Sequence, residues 1–139
     1  MQMPVQIHGN SVVLAEFDGV WPSFHDAEIL RFELDRGDST PGRKVVAELR
    51  VHVRRYESRG AGTADYHQAL VKSVLIDFRF SGIEDLSVSD FNHQNVIDGI
   101  ILSADEKSGR VSVEIAGIYG FDGQWTCDHA EVVRVTRGA

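Results

Sequence analysis

Alternation with a two-residue period constrains this chain more than any other feature. From Glu28 to Arg36, Leu30, Phe32 and Leu34 alternate with Arg31, Glu33 and Asp35. From Val45 to Arg54, Val45, Ala47, Leu49, Val51 and Val53 alternate with Val46, Glu48, Arg50, His52 and Arg54. Successive side chains of a strand point to opposite faces, so this pattern predicts strands with one buried face. The turn formers Gly37-Asp38-Ser39-Thr40-Pro41-Gly42 between them make a hairpin.

The alternation returns from about Gln68 to Phe80, where Val74, Ile76, Phe78 and Phe80 share a face and Leu75 breaks the rule. Ile83 to Val88 reads as a short strand, and Asp90 to Asn95 as a turn or a single helical turn. Val96 to Ser103 is apolar on both faces except for Asp98, the pattern of a central strand covered on both sides. Val111, Val113 and Ile115 open a sixth strand, and Gly117 to Gly123 is the hairpin turn that leads to the last. That last strand, about Gln124 to Val135, changes register. Trp125 and Cys127 are apolar at odd positions, Ala130 and Val132 at even ones, and a bulge near Asp128-His129 would reconcile them. Glu57 to Asp65 has no period and reads as a mobile loop.

Ahead of the strands, Asn10-Ser11 is a helix cap, Val13, Leu14 and Phe17 share a helical face, and Gly19 is a stop, giving a short helix over about residues 11–17, with a strand through Ser11-Val12-Val13-Leu14 as its rival. Val5 and Ile7 suggest a short leading strand or an ordered tail. The fold expected is mainly β (α+β): one antiparallel, meander-like sheet of six or seven strands with a short N-terminal helix. With 139 residues and no linker or repeat, residues 1–139 are read as a single domain.

No apolar run reaches the roughly 18–20 residues that span a bilayer, and Met1 to Val5 lacks the features of a signal peptide, so the expected compartment is the cytoplasm. A lone cysteine, Cys127, excludes an internal disulfide and a multi-cysteine zinc site. The net charge of −7 disfavours nucleic acid and anionic membranes and favours a basic partner.

Chemistry-bearing residues are few. His25-Asp26 is the pair that some metal-dependent phosphohydrolases use, but no helical ligands follow it, and capping a turn is the simpler role. The other histidines show no metal-ligand spacing, so no metal and no cofactor is expected. Cys127 and His129 lie two apart on a strand, yet Cys127 shares its parity with Trp125 and reads as a small buried hydrophobe.

The run Gly19-Val20-Trp21-Pro22-Ser23-Phe24-His25-Asp26-Ala27-Glu28-Ile29 and the later Phe91-Asn92-His93-Gln94-Asn95-Val96-Ile97 resemble an immunity-protein family of bacterial polymorphic toxin systems, the one numbered fifty. Trp21, Pro22, Phe24, His25 and Asp26 match its signature, which is expected to serve the fold. The resemblance implies a small cytoplasmic protein that binds and neutralises a cognate toxin by occlusion, without catalysis. Exposure and charge single out Asp65 and Tyr66, Asp105 and Glu106, and Phe121 with Asp122 as partner-binding candidates. Two alternatives stay open: a metal-dependent hydrolase using His25 and Asp26, and a self-assembling β module. The sequence leaves the oligomeric state unknown.

Overall fold

The computed structural model describes residues 7–37, 42 and 44–138. Val5 of the proposed leading strand and Asp38 to Pro41 of the first hairpin turn lie outside the described residues. The order of elements is α1 (Asn10–Glu16), β1 (Glu28–Asp35), β2 (Val46–Arg59), β3 (His67–Ser81), β4 (Glu84–Ser89), β5 (Val96–Ala104), β6 (Val111–Tyr119), β7 (Asp122–Cys127) and β8 (His129–Arg137). All strand pairs are antiparallel, in the order β4-β7-β6-β5-β1-β2-β3-β8. The mainly β fold is therefore as the alternation predicts, with eight strands and one short helix among the described residues.

The eighth strand comes from a division of the predicted last one. Residues 124–135 do not form one bulged strand. They belong to β7 and β8, which pair with different partners. Ser81 pairs with His129 and Glu84 pairs with Thr126, so the β3/β8 ladder continues as the β4/β7 ladder around a corner. Gly82 and Asp128 face each other at that corner. Gly82 adopts φ +72°, and a Cβ there would meet the Asp128 carboxylate, which leaves glycine as the residue that fits. A second register shift, between Asp77 and Phe78 on β3, leaves Val133 exposed and returns Val135 to the inner side.

Two three-strand meanders, β1-β2-β3 and β5-β6-β7, thus form two halves. They meet at a narrow seam where Glu28 pairs with Val96 and where Ile97 N–H donates to Ala27 C=O at 2.9 Å. Bent at the corner, the sheet folds onto itself and the core lies between its inner faces. Trp125 of β7 meets Phe80 of β3 with ring centroids 5.2 Å apart and Phe32 of β1 at 5.6 Å. Ala47, Leu49, Val51, Val74, Ile76, Phe78, Val113 and Ile115 fill the space between.

Three local differences follow from the same architecture. On β1, a bulge between Ile29 and Arg31 turns Ile29 inward and leaves Leu30 exposed, as is Leu34 at the strand's far end. On β5, register shifts on either side of Ile97 turn Ile101 outward, where it is 49% exposed. The outer face of this strand is bare, so the expected cover on both sides is absent there. The predicted loop Glu57 to Asp65 is in part strand: β2 and β3 run on as a two-stranded ribbon, paired to Arg59↔His67. Both of its faces are in water, so nothing imposes a hydrophobic period. Its tip is tied by the Thr63 hydroxyl donating to Gly60 C=O at 2.6 Å.

Helix α1 begins after Gly9, a left-handed residue with no side-chain cap, so the expected Asn10-Ser11 cap is not used. Gly19 does stop the helix, its N–H donating to Leu14 C=O at 2.7 Å. Seven residues are too few for helicity alone, and docking holds the helix. Val13 and Phe17 enter the core. The Glu16 carboxylate binds Arg137 Nε at 2.7 Å and Lys72 Nζ at 3.3 Å. The Arg137 hydrogen bond, joined by Lys72, holds Glu16 below the usual carboxylate range against the opposing effect of burial.

Candidate functional site

The signature run connects α1 to β1, and its apolar members other than Val20 go inward. Trp21, Pro22 and Phe24 are buried. Trp21, Phe24 and Phe78 form a mutual triangle of edge-on rings with centroids 5.9 to 6.4 Å apart. To place its ring there, Phe24 adopts φ +62°, uncommon for a bulky side chain, and Asp26 follows at +64°. The backbone then joins the seam: Asp26 N–H donates to Ile97 C=O at 2.9 Å and Ile29 N–H to Asn95 C=O at 2.8 Å.

His25 and Asp26 stay outside, with side chains 58% and 72% exposed. His25 Nδ1 lies 2.8 Å from Asp98 Oδ1 of β5, and Nε2 lies 3.5 Å from Asp26 Oδ2. The imidazole thus bridges the seam between two carboxylates in water. Among the described residues, no group of three or more histidine, cysteine, aspartate or glutamate side chains is arranged to hold a metal ion.

The second matching run centres on Asn95, which is 3% exposed. Its Nδ2 donates to Ile29 C=O at 3.2 Å and Asn92 C=O at 2.9 Å. Its Oδ1 accepts from Asn92 N–H at 2.9 Å and Phe121 N–H at 3.0 Å. One amide therefore ties the loop before β5 to β1 and to the β6–β7 turn. Gly120 of that turn, at φ +83°, leaves no room for a Cβ against the Gln94 carbonyl and the Asn95 amide.

Cys127 is buried, and burial pushes its thiol up to about 11, while His129 turns outward next to Glu131. The pair does not form a thiolate–imidazole couple.

The six partner-binding candidates separate in space. Asp65 and Tyr66 stand at the tip of the β2–β3 ribbon, where Gln68 Nε2 donates to the Tyr66 hydroxyl at 3.0 Å and to Ser58 Oγ at 2.8 Å. Asp105 and Glu106 occupy the exposed β5–β6 turn. The Lys107 backbone N–H, donating to Asp105, draws that carboxyl below its usual range. Asp122 is exposed at the start of β7, near the other end of the same strands. Phe121 is 1% exposed and packs on Phe32, so it is a core residue and offers no ring to a partner; Phe91, half exposed, covers it edge-on.

Charge divides the molecule more sharply than the net value suggests. Residues 84–126, which make β4 to β7, hold eight acidic side chains against Lys107 and Arg110, or −6 of the total −7. In the other half most of the described carboxylates have a cationic neighbour. Asp77 accepts from Arg50 Nε at 2.8 Å and Arg134 Nε at 3.1 Å; Glu48 and Glu131 share Arg79. In the β4–β7 half, Glu84 pairs with Arg110, whereas Asp85, Asp90, Glu106, Glu114 and Asp122 form no ion pair among the described residues. The outer face of this half is a shallow trough of about 200 Å3 floored by Ile101, Ser103, Ser112, Gln124 and Thr126, with Glu114 at its middle and Asp85 at its rim. Ile101 and Glu114 carried no local motif; a count of charge by segment is the signal that points to Glu114, and nothing in the sequence singles out Ile101.

This exposed, uncompensated acidic face is suited to binding a basic surface. Neither a curated protein nor a solved structure matches the chain. The family model described as immunity protein 50 matches residues 10–138, and this chain belongs to that family.

Proposed function

We propose that this protein neutralises a cognate bacterial toxin by stoichiometric occlusion, with the outer face of β4–β7 as the surface applied to it. The observation that carries the reading is the set of unpaired carboxylates in that half, with Asp85 and Glu114 on the face itself, in a protein whose other described carboxylates are mostly matched. A basic toxin groove meeting this face would be steered to it, with effects on association rate that fall as salt rises. Asp105, Glu106 and Asp122 belong to this half, and Asp65 and Tyr66 form a separate contact region on the ribbon. The chain acts as one domain and in the cytoplasm, where the toxin is made. The signature residues act through the fold: Trp21, Pro22 and Phe24 hold the seam that sets the two halves relative to each other.

The test is a pull-down from the native organism with the intact protein as bait, at low and moderate salt. The expected result is a basic partner in about one-to-one ratio, weakened by salt, whose association slows in Glu114→Lys and Asp122→Lys. Capture that is indifferent to salt and to both reversals would remove this face from the interface.

A further inference from the structure

The β2–β3 ribbon has a feature that the fold does not need. Pairing of β2 with β1 ends at His52, and pairing of β3 with β8 begins at Val74. Past Ser73, whose C=O still accepts from Gly138 N–H at 3.0 Å, the ladder continues as a two-stranded ribbon to Arg59↔His67, for roughly 20 Å at about 3.3 Å per residue. A ribbon of two strands exposed on both sides is marginal by itself in water. This one is braced at its root, where the Arg55 guanidinium lies 4.9 Å from the Phe17 ring centroid and Lys72 reaches Glu16. It carries Tyr56, Tyr66 and Leu70 at 53 to 54% exposure, and Tyr56 pairs directly with Leu70. Tyr66 is oriented by Gln68 and Ser58. The ribbon is also the basic part of an acidic protein: residues 54–72 hold Arg54, Arg55, Arg59 and Lys72 against Glu57 and Asp65, or +2.

The geometry points to a second copy of this chain as the occupant: the ribbon of one molecule lies in the Glu114 trough of the next. The signs are opposite, +2 on the ribbon against −6 on the half that bears the trough. The trough is open and shallow, with Ile101 as an apolar floor for an incoming tyrosine or leucine. Ribbon pairing with ribbon would instead bring two basic segments together, which disfavours a two-fold dimer through that edge. Ribbon and trough are different surfaces, so the contact is heterologous, and a pair of copies keeps one free trough and one free ribbon through which it can grow. The self-association does not depend on the toxin reading, because no toxin takes part in it, but it uses the same face, so a toxin and a second copy would compete for the trough.

Sedimentation velocity on the purified full chain, from about 1 to about 200 µM and at about 0.05 M and 0.3 M salt, tests this. The average mass is expected to rise above the monomer with concentration and to fall back at the higher salt. Arg59→Glu and Glu114→Lys, both at exposed positions, should each remain monomeric. Mixed one to one, the two variants should form a dimer that grows no further, because one intact ribbon then meets one intact trough. Melting temperatures of the variants, matched to the parent, separate lost contact from lost fold; Arg54→Glu and Gln124→Lys replace any variant that melts early. A protein monomeric at every concentration, or an assembly unchanged by both reversals, or a mixture that stays monomeric, overturns the proposal. Those failures would leave the toxin reading standing, since that rests on capture of a different molecule.

Discussion

Replacing Asn95 by alanine should be among the most damaging changes available on this chain. The side chain is buried and makes four hydrogen bonds, three of them to backbone groups of the loop and the β6–β7 turn and one to β1. Each contributes about 1 kcal/mol net, and a buried backbone group left without a partner costs about 1–3 kcal/mol. Water entering a methyl-lined space would restore part of this, so the expected loss is about 3–4 kcal/mol. Against the roughly 5–15 kcal/mol available to a domain, that is a large fraction. Urea unfolding followed by tryptophan fluorescence reads it as a fall in midpoint, since Trp21 and Trp125 are both buried and should report exposure. A matched control is Asn92→Ala, whose exposed side chain accepts from Gln94 N–H and donates to Asp90 C=O, both local contacts in water, and should cost less than about 1 kcal/mol. If Asn95→Ala loses no more than that control, the amide is not the tie between β1, β5 and the turn.

The signature run should split under mutation: Phe24→Ala is expected to cost about 3–5 kcal/mol in the same unfolding assay, and His25→Ala less than about 1 kcal/mol, because one is core and the other exposed. Acid should weaken the protein through Asp77, where burial opposes ionisation but Arg50 and Arg134 prevail and hold the carboxyl below the usual carboxylate range. The folded form therefore prefers the ionised group, so this stability is present above about pH 4 and is lost as pH falls through the lowered value. Melting curves from pH 6 to pH 3 should show a steep decline in the parent and a flatter one in Asp77→Asn; parallel curves would contradict the assignment. Cys127 should resist a thiol reagent at pH 8 in the native state and react on unfolding, because its thiol is buried and held near 11. Native labelling at the rate of a free thiol would refute that burial.

Alternation made the strands legible wherever one face is wet and the other dry, as in Val46 to Val53 and Val74 to Phe80. It failed for the ribbon, whose two faces are equally wet, and along β5, where paired register shifts send Ile101 outward. The parity change after Cys127 was visible as a change, but its cause was not. A corner and a bulge leave the same mark in one dimension, and only the partner strand tells them apart. The signature residues could be picked out by type, whereas the carboxylate facing His25 belongs to Asp98, seventy-three positions away. Charge segregation was countable by segment all along, but a count becomes a surface only when β4 to β7 are known to lie side by side.

The docking of α1 bears on the order in which this protein can be made. The helix rests chiefly on β8, with His8 bridging to Glu131 and Val132 N–H donating to His8 C=O at 2.8 Å. A chain leaving the ribosome therefore produces its helix first and the seat for that helix last. Until β8 emerges, Val13 has no complete pocket, and the β3 edge from Val74 to Ser81 has no partner. Contacts this distant in sequence form slowly. The nascent protein would pass through a stage with an open, apolar strand edge, the condition in which chains pair wrongly with one another. Asp77 and Arg79 on that edge, two charges among apolar residues, act as guards during synthesis before they become partners, Asp77 for Arg50 and Arg134 and Arg79 for Glu48 and Glu131.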